Sequence, residues 1–271
     1  MTTTLTFEIA DVVPYINWAY FYYAWGVSGK ADDERKKLRC EADDMLQRIN
    51  GQYHTHALFG IYDANSDGDD IIIEGHHRLP MLRQQQPQRE GEPNLCLADF
   101  IRPARQGMPD KIGVFATTVD KSMETDHKAD DYLRMMCQTL ADRLAEATAE
   151  RMHQLVRTQY WGYAPDENLS MDALHREDFQ GIRPAVGYPS MPDTSMNFVL
   201  DDLLHFGQIG IRLTPSGAMM PHASVSGLMF AHPQARYFAL GKIDEDQLAD
   251  YARRRGVPTE LMRRFLAGCM K

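Results

Sequence analysis

Apolar side chains recur at helical spacing in two segments of the chain. In residues 31–50 they occupy one side of a helix, opposite charged residues, at Leu38, Met45, Leu46 and Ile49. In residues 130–160 the same spacing applies to Leu133, Cys137, Leu140, Leu144, Met152 and Leu155. The pattern predicts two amphipathic helices, of which the second is the longest element of the chain.

Shorter apolar runs predict strands. Residues 57–62 and 70–74 flank a polar turn, which is typical of a β-hairpin, and residues 111–119 predict a further strand. Residues 224–231 and 235–243 predict two more strands, joined across a His-Pro pair. Together these runs indicate a sheet in addition to the helices.

The remaining segments complete the expected organisation. Residues 82–93, rich in Gln, Pro and Glu, predict a solvent-exposed loop, and residues 244–255 and 258–267 predict two short closing helices. The sequence contains no internal repeat and no strong linker. We therefore expect one α+β domain over residues 1–271.

Composition narrows the class of protein. The 271 residues suffice for a sizeable core, and no stretch approaches the ~18 apolar residues that span a bilayer. The N-terminus lacks the basic and apolar regions of a signal peptide, and the four cysteines are scattered without a C-x-x-C spacing. A net charge of -9 argues against nucleic-acid binding. We expect a cytoplasmic protein with reduced thiols that binds neither nucleic acid nor membrane.

Two patterns invite a metal assignment. The segment from Asp63 to Glu74 matches the calcium-loop pattern D-x-N-x-D-G-x-x-x-x-x-E, but such a loop needs flanking helices, whereas strands are predicted here. Asn, Asp and Gly also suit a hairpin turn, which we favour. The paired histidines lack a third ligand at a matching spacing, so we assign no metal site. These pairs are His54 with His56 and His76 with His77.

A proline-rich segment is the strongest candidate for ligand binding. Residues 180–198 read Q-G-I-R-P-A-V-G-Y-P-S-M-P-D-T-S-M-N-F, with Arg183 among prolines that fix φ and remove donors. Gly187 allows the backbone to approach a ligand, and Tyr188 supplies an aromatic face. A planar cationic fork beside a ring suits a ligand with a carboxylate at one end and a flat ring at the other. The alternative interpretation is a surface turn.

This segment resembles the S-adenosylmethionine-binding core of the activation domain of cobalamin-dependent methionine synthase, which carries R-P-A-P-G-Y-P. Further blocks follow in the family's order between about residues 12 and 265. They are Y-I-N-W at 15–18, D-D-I at 69–71, C-L-A-D-F at 96–100, A-D-R-L-A-E at 141–146, Y-W-G-Y-A-P at 160–165, A-S-V-S-G at 223–227 and D-Y-A-R-R at 250–254. On these blocks the chain is identified as a member of the family. The resemblance implies a single helmet-like α+β domain with a twisted antiparallel sheet and flanking helices.

The resemblance also implies which residues bind the ligand. Arg183 matches the arginine that binds S-adenosylmethionine, and Glu146 and Glu177 match carboxylates near the sulfonium. Tyr237 and Phe238 match a pair of tyrosines that contact the ligand. From the residues alone, each glutamate could equally be a helix-surface charge, and each ring a half-buried strand aromatic.

Two positions depart from the family pattern. Asn17 stands where the family carries an aspartate that holds the ligand's amino group, and Phe238 lacks the hydroxyl of the second tyrosine. Asparagine accepts a hydrogen bond from an ammonium but loses the charge-assisted part, about half of the bond's strength. We expect weaker binding than the family norm, without its loss.

The function implied by the resemblance is the reductive reactivation of a corrinoid-dependent methionine synthase. The protein would bind S-adenosylmethionine and hold its methyl group for transfer to reduced cobalamin, a role that rests on positioning, so we assign no catalytic acid or base. The D-x-H-x-x-G motif of cobalamin-binding modules is absent from the sequence.

Partners follow from the same resemblance. We expect a stand-alone activation subunit, a cobalamin-binding methionine synthase chain as its partner, and a flavodoxin-like electron donor. The alternative is a non-catalytic docking partner of a corrinoid protein that has lost productive methyl transfer.

Overall fold

The computed structural model describes residues 1–87, 89–126 and 129–271. The strands in these residues are β1 (Thr2–Glu8), β2 (His54–Asp67), β3 (Asp70–Ile73), β4 (His77–Pro80), β5 (Asp110–Val119), β6 (Arg212–Leu213), β7 (Met219–Met220) and β8 (Ser224–Met229). The main sheet has the order β4-β3-β2-β5-β8, with β1 paired to β2, and every pairing is antiparallel. β6 and β7 form a separate pair.

The helices surround this sheet. They are α1 (Ile9–Val12), α2 (Trp18–Ala24), α3 (Asp32–Ile49), α4 (Ser122–Thr125), α5 (Asp131–Leu155), α6 (Met171–His175), α7 (Met196–Leu204), α8 (Glu245–Arg255) and α9 (Thr259–Phe265). Short 3-10 turns lie at Val13–Tyr15, Leu97–Phe100, Ala104–Gln106, Phe206–Ile209 and Ala267–Cys269. The predicted α+β class, with an antiparallel sheet and flanking helices, is confirmed.

Both amphipathic helices predicted from apolar spacing are present as α3 and α5. The side chain of Asp130 begins α5 by accepting hydrogen bonds from the N–H groups of Tyr132 and Leu133. The helix was predicted to end at residue 160. α5 ends at Leu155 but continues directly into a π-helical turn, Val156–Tyr160, so the predicted end agrees with the end of the helical segment.

The predicted β-hairpin is confirmed as β2 and β3. Asp67 pairs with Asp70, and Gly68 occupies the turn with a φ of +61° that glycine adopts without strain. The segment that matched the calcium pattern therefore runs mainly along two strands. Among the described residues, no group of three or more His, Cys, Asp or Glu side chains is placed to hold a metal ion.

β5 is buried on both faces, which explains its nearly continuous apolar sequence. Phe115 packs with α5 and α3 in one core, whereas Val114 and Ala116, on the opposite face, pack with α7 in a second core. A third, smaller core joins α8 and α9 to Leu82. Phe115→Ala would lower the free energy of unfolding by about 3–5 kcal/mol, which is typical for the loss of a buried aromatic ring.

One strand prediction was wrong, and one loop prediction is confirmed only in part. Residues 235–243 form no strand, because the free edge of β8 is already occupied and their backbone bonds go to loops, as in Leu240 N–H to Pro189 O at 2.9 Å. Residues 82–93 are irregular where described, and residue 88 lies outside the described residues. They are not uniformly exposed, since Leu82 and Gln84 are buried.

Within the described ranges, no helix combines the length and apolar character needed to cross a membrane.

Candidate functional site

A cleft of about 540 Å³ opens beside α5. Its walls come from α5, from the turn that leads into α2, from residues 182–190, which we call the arginine segment, and from residues 237–239. Seven of the eight site residues predicted from the sequence line it: Asn17, Glu146, Glu177, Arg183, Tyr188, Tyr237 and Phe238. The fold thus brings together positions that are up to 221 residues apart in sequence.

The arginine segment is hydrogen-bonded to the edge of β8 that does not pair with β5. Leu228 N–H donates to Pro184 O at 3.0 Å, and Val186 N–H donates to Ser226 O at 2.9 Å. Between these bonds lies Gly227, where an added Cβ atom would stand 2.2 Å from Pro184 O. Glycine is therefore required at this position for the segment to approach the strand.

Gly187, the eighth predicted residue, does not line the cleft. It adopts a φ of +89°, and its N–H donates to Met191 O at 2.8 Å. Gly187 therefore shapes the turn that carries Tyr188, and the prediction that it lets a ligand approach the backbone stays a prediction.

One face of α5 supplies charged groups to the cleft. Arg143, Glu146 and Glu150 lie three and four residues apart, which places them on the same side of the helix. Glu150 was missed from the sequence, although its spacing of four residues from Glu146 would have placed it on the predicted site face.

Arg183 is anchored by Glu150 and by a buried histidine. Nη2 donates to Glu150 Oε1, and Nη1 donates to Glu150 Oε2 at 3.3 Å and to His153 Nδ1 at 3.2 Å. The Arg183 side chain is only 9% exposed. Burial alone would lower its pKa, but the charge and hydrogen bond of Glu150, together with Tyr237 and Glu146, outweigh that effect. The pKa lies above the ordinary value, so the guanidinium stays charged.

Two tyrosines connect the cleft walls through their hydroxyl groups. Tyr237 Oη accepts from the backbone N–H of Arg183 at 2.9 Å, and Tyr188 Oη donates to Glu146 Oε1 at 2.6 Å. Desolvation raises the pKa of Tyr237 to about 12, with Arg183 opposing and Glu177 adding to the rise. Desolvation, followed by the Glu146 charge, also raises the pKa of Tyr188. Both hydroxyls therefore remain protonated near neutral pH.

Glu177 and Asn17 each lie at the end of a short helix. Glu177 follows α6 with a φ of +60°, an uncommon conformation for a residue with a side chain. Desolvation raises its pKa, Arg183 lowers it, and Glu150 raises it further. Asn17 caps α2, since its Oδ1 accepts from Ala19 N–H at 3.2 Å.

The charge balance of the cleft favours a cationic ligand. Among the described lining residues, three carboxylates face two guanidinium groups: Glu146, Glu150 and Glu177, with Arg143 and Arg183. Tyr20 and Tyr188, which are 61% and 51% exposed, supply aromatic surface beside them. A ligand with a carboxylate, a flat ring and a net positive charge fits this combination.

Comparisons with known proteins agree with the fold. The family described as "Vitamin B12 dependent methionine synthase, activation domain" matches residues 8–256. A crystal structure of the MetH reactivation domain bound to AdoHcy is similar to the whole of this chain, with 38% sequence identity, coverage of 90% of that chain and a TM-score of 0.93. The chain belongs to the family of vitamin B12-dependent methionine synthase activation domains.

Proposed function

We propose that the cleft binds S-adenosylmethionine and holds its methyl group for transfer to reduced cobalamin carried by a partner chain, so that an inactive methionine synthase is reactivated. The observation that carries the proposal is the convergence of Arg183, three glutamates and two tyrosines on one cleft. The similar reactivation domain was crystallised with AdoHcy, which is S-adenosylmethionine without its methyl group.

Three parts of the proposed ligand have matching groups in the cleft. Arg183 supplies donors for the methionyl carboxylate, and Glu146 and Glu177 supply negative charge for the sulfonium. Tyr188 and Phe238 supply aromatic surface for the adenine ring. Tyr237, through its bond to the Arg183 backbone, keeps the arginine segment in place.

The proposed transfer needs no acid or base. The bond between methyl carbon and sulfur breaks with its electron pair going to sulfur, and reduced cobalt supplies the pair for the new bond to carbon. No proton moves, so the side chains of the cleft contribute orientation and exclusion of water. In this role the raised pKa values of the tyrosines keep their hydroxyls as fixed hydrogen-bonding groups.

The proposal also includes two partners. Cobalamin is supplied by a methionine synthase chain, in line with the absence of a D-x-H-x-x-G motif from this sequence. The electron that returns the cobalt to its reactive state comes from a flavodoxin-like donor. The alternative, a docking partner without methyl transfer, predicts no S-adenosylmethionine binding.

Calorimetric titration tests the proposal directly. The unmodified protein should bind S-adenosylmethionine, and Arg183→Ala should weaken binding by about tenfold or more, because a hydrogen bond to a charged group contributes about 1.5–3 kcal/mol. Arg212→Ala, at an exposed position on β6, is the matched control and should bind normally. Absence of binding to the unmodified protein would support the docking alternative, and normal binding by folded Arg183→Ala would place the site elsewhere.

A further inference from the structure

Behind Arg183 lies a line of hydrogen-bonded side chains that leads away from the cleft. Arg183 Nη1 donates to His153 Nδ1 at 3.2 Å, and His153 Nε2 lies 3.3 Å from Tyr163 Oη. We call Tyr163, His153, Arg183 and Glu150 the arginine ladder. Only Arg183 among these four was identified as a site residue from the sequence.

The ladder determines the protonation of His153. An arginine nitrogen can only donate, so His153 Nδ1 must be an unprotonated acceptor and the ring proton must lie on Nε2, which donates to Tyr163 Oη. The ring is fully buried, and burial, then the charges of Arg157 and Arg183, lowers the pKa of His153 well below its ordinary range. A neutral ring is therefore maintained in the folded protein.

The hydrogen bonds to Glu150 and His153 use three of the five N–H donors of the Arg183 guanidinium. Glu150 takes one hydrogen from each terminal nitrogen, and His153 takes the other hydrogen of Nη1. The remaining donors are Nε–H and the second Nη2 hydrogen, and no other described residue accepts a hydrogen bond from them. These two N–H bonds are nearly parallel in a guanidinium group, so they match the two oxygens of a carboxylate.

We infer that His153 is a positioning residue, which holds the Arg183 guanidinium so that its Nε and Nη2 donors are presented as a pair to a ligand carboxylate. This inference deepens the proposed function, on which it rests. Glu150 binds the guanidinium through Nη1 and Nη2. His153 accepts a third hydrogen bond, from the other hydrogen of Nη1, and this bond restrains tilting of the group.

The surroundings of His153 keep the ladder rigid. The Phe179 ring packs edge-on against His153 at 5.3 Å, and the Arg157 guanidinium lies 3.9 Å from the Phe179 centroid. Arg157 is itself fixed by Glu167, with bonds of 2.7 and 2.6 Å.

At the far end of the ladder, the hydroxyl of Tyr163 lies close to Gly181, just before the arginine segment. At Gly181 an added Cβ atom would lie 2.9 Å from Tyr163 Oη and 2.2 Å from Phe230 O. The Y-W-G-Y block singled out in the sequence thus contributes Tyr163 to the support of the site.

Two isosteric substitutions separate a positioning role from a packing role. His153→Asn places an amide oxygen where Nδ1 stands, whereas His153→Leu places a methyl group there, and both lose the bond to Tyr163. With S-adenosylmethionine as the titrated ligand, we expect affinity within about threefold of the unmodified protein for His153→Asn and a loss of about tenfold or more for His153→Leu. Equal losses in both variants, following their thermal stability, would overturn the inference.

A second measurement does not depend on the ligand. In nitrogen NMR of the ¹⁵N-histidine-labelled free protein, His153 should show a protonated Nε2 and an unprotonated Nδ1 near neutral pH, and Arg183→Ala should shift the Nδ1 resonance. A ring protonated at Nδ1, or charged, would contradict the inference. If the unmodified protein failed to bind S-adenosylmethionine while the nitrogen shifts were as expected, the proposed function would fail and the ladder geometry would stand.

Discussion

The side-chain oxygen of Asn17 already has a partner in the fold. Oδ1 accepts from Ala19 N–H and so begins α2, the helix that carries Tyr20 to the cleft. Aspartate caps a helix about as well as asparagine, so capping alone does not explain why Asn17 departs from the family pattern. At this position the neutral amide lowers the negative charge of the cleft by one unit relative to an aspartate.

His153 makes a testable contribution to pH-dependent stability. Because burial lowers its pKa well below 6.5, the unfolded chain binds more protons at this residue than the native state once the pH falls below about 6.5. Stability should therefore fall in acid, by up to about 1.4 kcal/mol per pH unit for one proton, and this term should vanish above about pH 7.5. Urea unfolding measured from about pH 5 to 8 should show a shallower acid slope for His153→Asn. Equal slopes would contradict a neutral buried ring.

At the scale of elements, β8 serves both the sheet and the site. One edge pairs with β5 from Ser224 to Met229, and the other edge holds the arginine segment. Backbone bonds on both edges connect the cleft rigidly to the two main cores. α5 completes the arrangement, since one face packs on the sheet while another presents Glu146 and Glu150 to the cleft.

Gly227→Ala tests whether the contact between β8 and the arginine segment supports the cleft. The new methyl group would lie 2.2 Å from Pro184 O, so the arginine segment must move away from β8. We expect a loss of about 1–3 kcal/mol in stability, as for other overpacked sites, together with weaker S-adenosylmethionine binding. Gly207→Ala is the control, because an added Cβ there meets nothing within 4 Å. Thermal unfolding and calorimetry of both variants provide the comparison, and unchanged binding by Gly227→Ala would show that the segment's register is unimportant.

At the scale of the whole molecule, the C-terminal helices are tied to the chain that follows the arginine segment. Tyr251 Oη donates to Asp193 Oδ2 at 2.8 Å, and Arg255 Nη2 donates to Ser195 Oγ at 3.0 Å. These buried polar contacts connect the third core to the site without entering the cleft. The cleft remains open to solvent on one side, which the proposed function requires for contact with a corrinoid on another protein.

Activity in trans is the prediction at this scale. Mixed with a cobalamin-loaded methionine synthase partner, a one-electron reductant and S-adenosylmethionine, the protein should convert the cobalt(II) absorption spectrum to that of methylcobalt(III). Because the partners must separate for turnover, we expect an interface of micromolar affinity, on the order of -8 kcal/mol. Omitting the protein or S-adenosylmethionine should prevent the conversion. Equally fast conversion without this protein would rule out the reactivation role.

Local patterns determined much of the fold. The helical spacing of apolar residues predicted α3 and α5, and apolar runs predicted β5, β8 and the hairpin of β2 and β3. Periodicity succeeds here because each of these elements buries one defined face, or both faces, against a core. The ordered motif blocks further identified the family, and with it seven residues that line one cleft.

Tertiary structure decided what depends on partners distant in sequence. Residues 235–243 have strand-like composition but do not pair with β8, because the arginine segment occupies that edge. Likewise, helical spacing can place Glu150 on the face of Glu146, but no local pattern shows that Glu150 and His153 bind an arginine. Their roles arise only when the fold places Arg183, some thirty residues further along, against that face of the helix. A sequence specifies the donors and acceptors, and the packing of separate elements determines which of them meet.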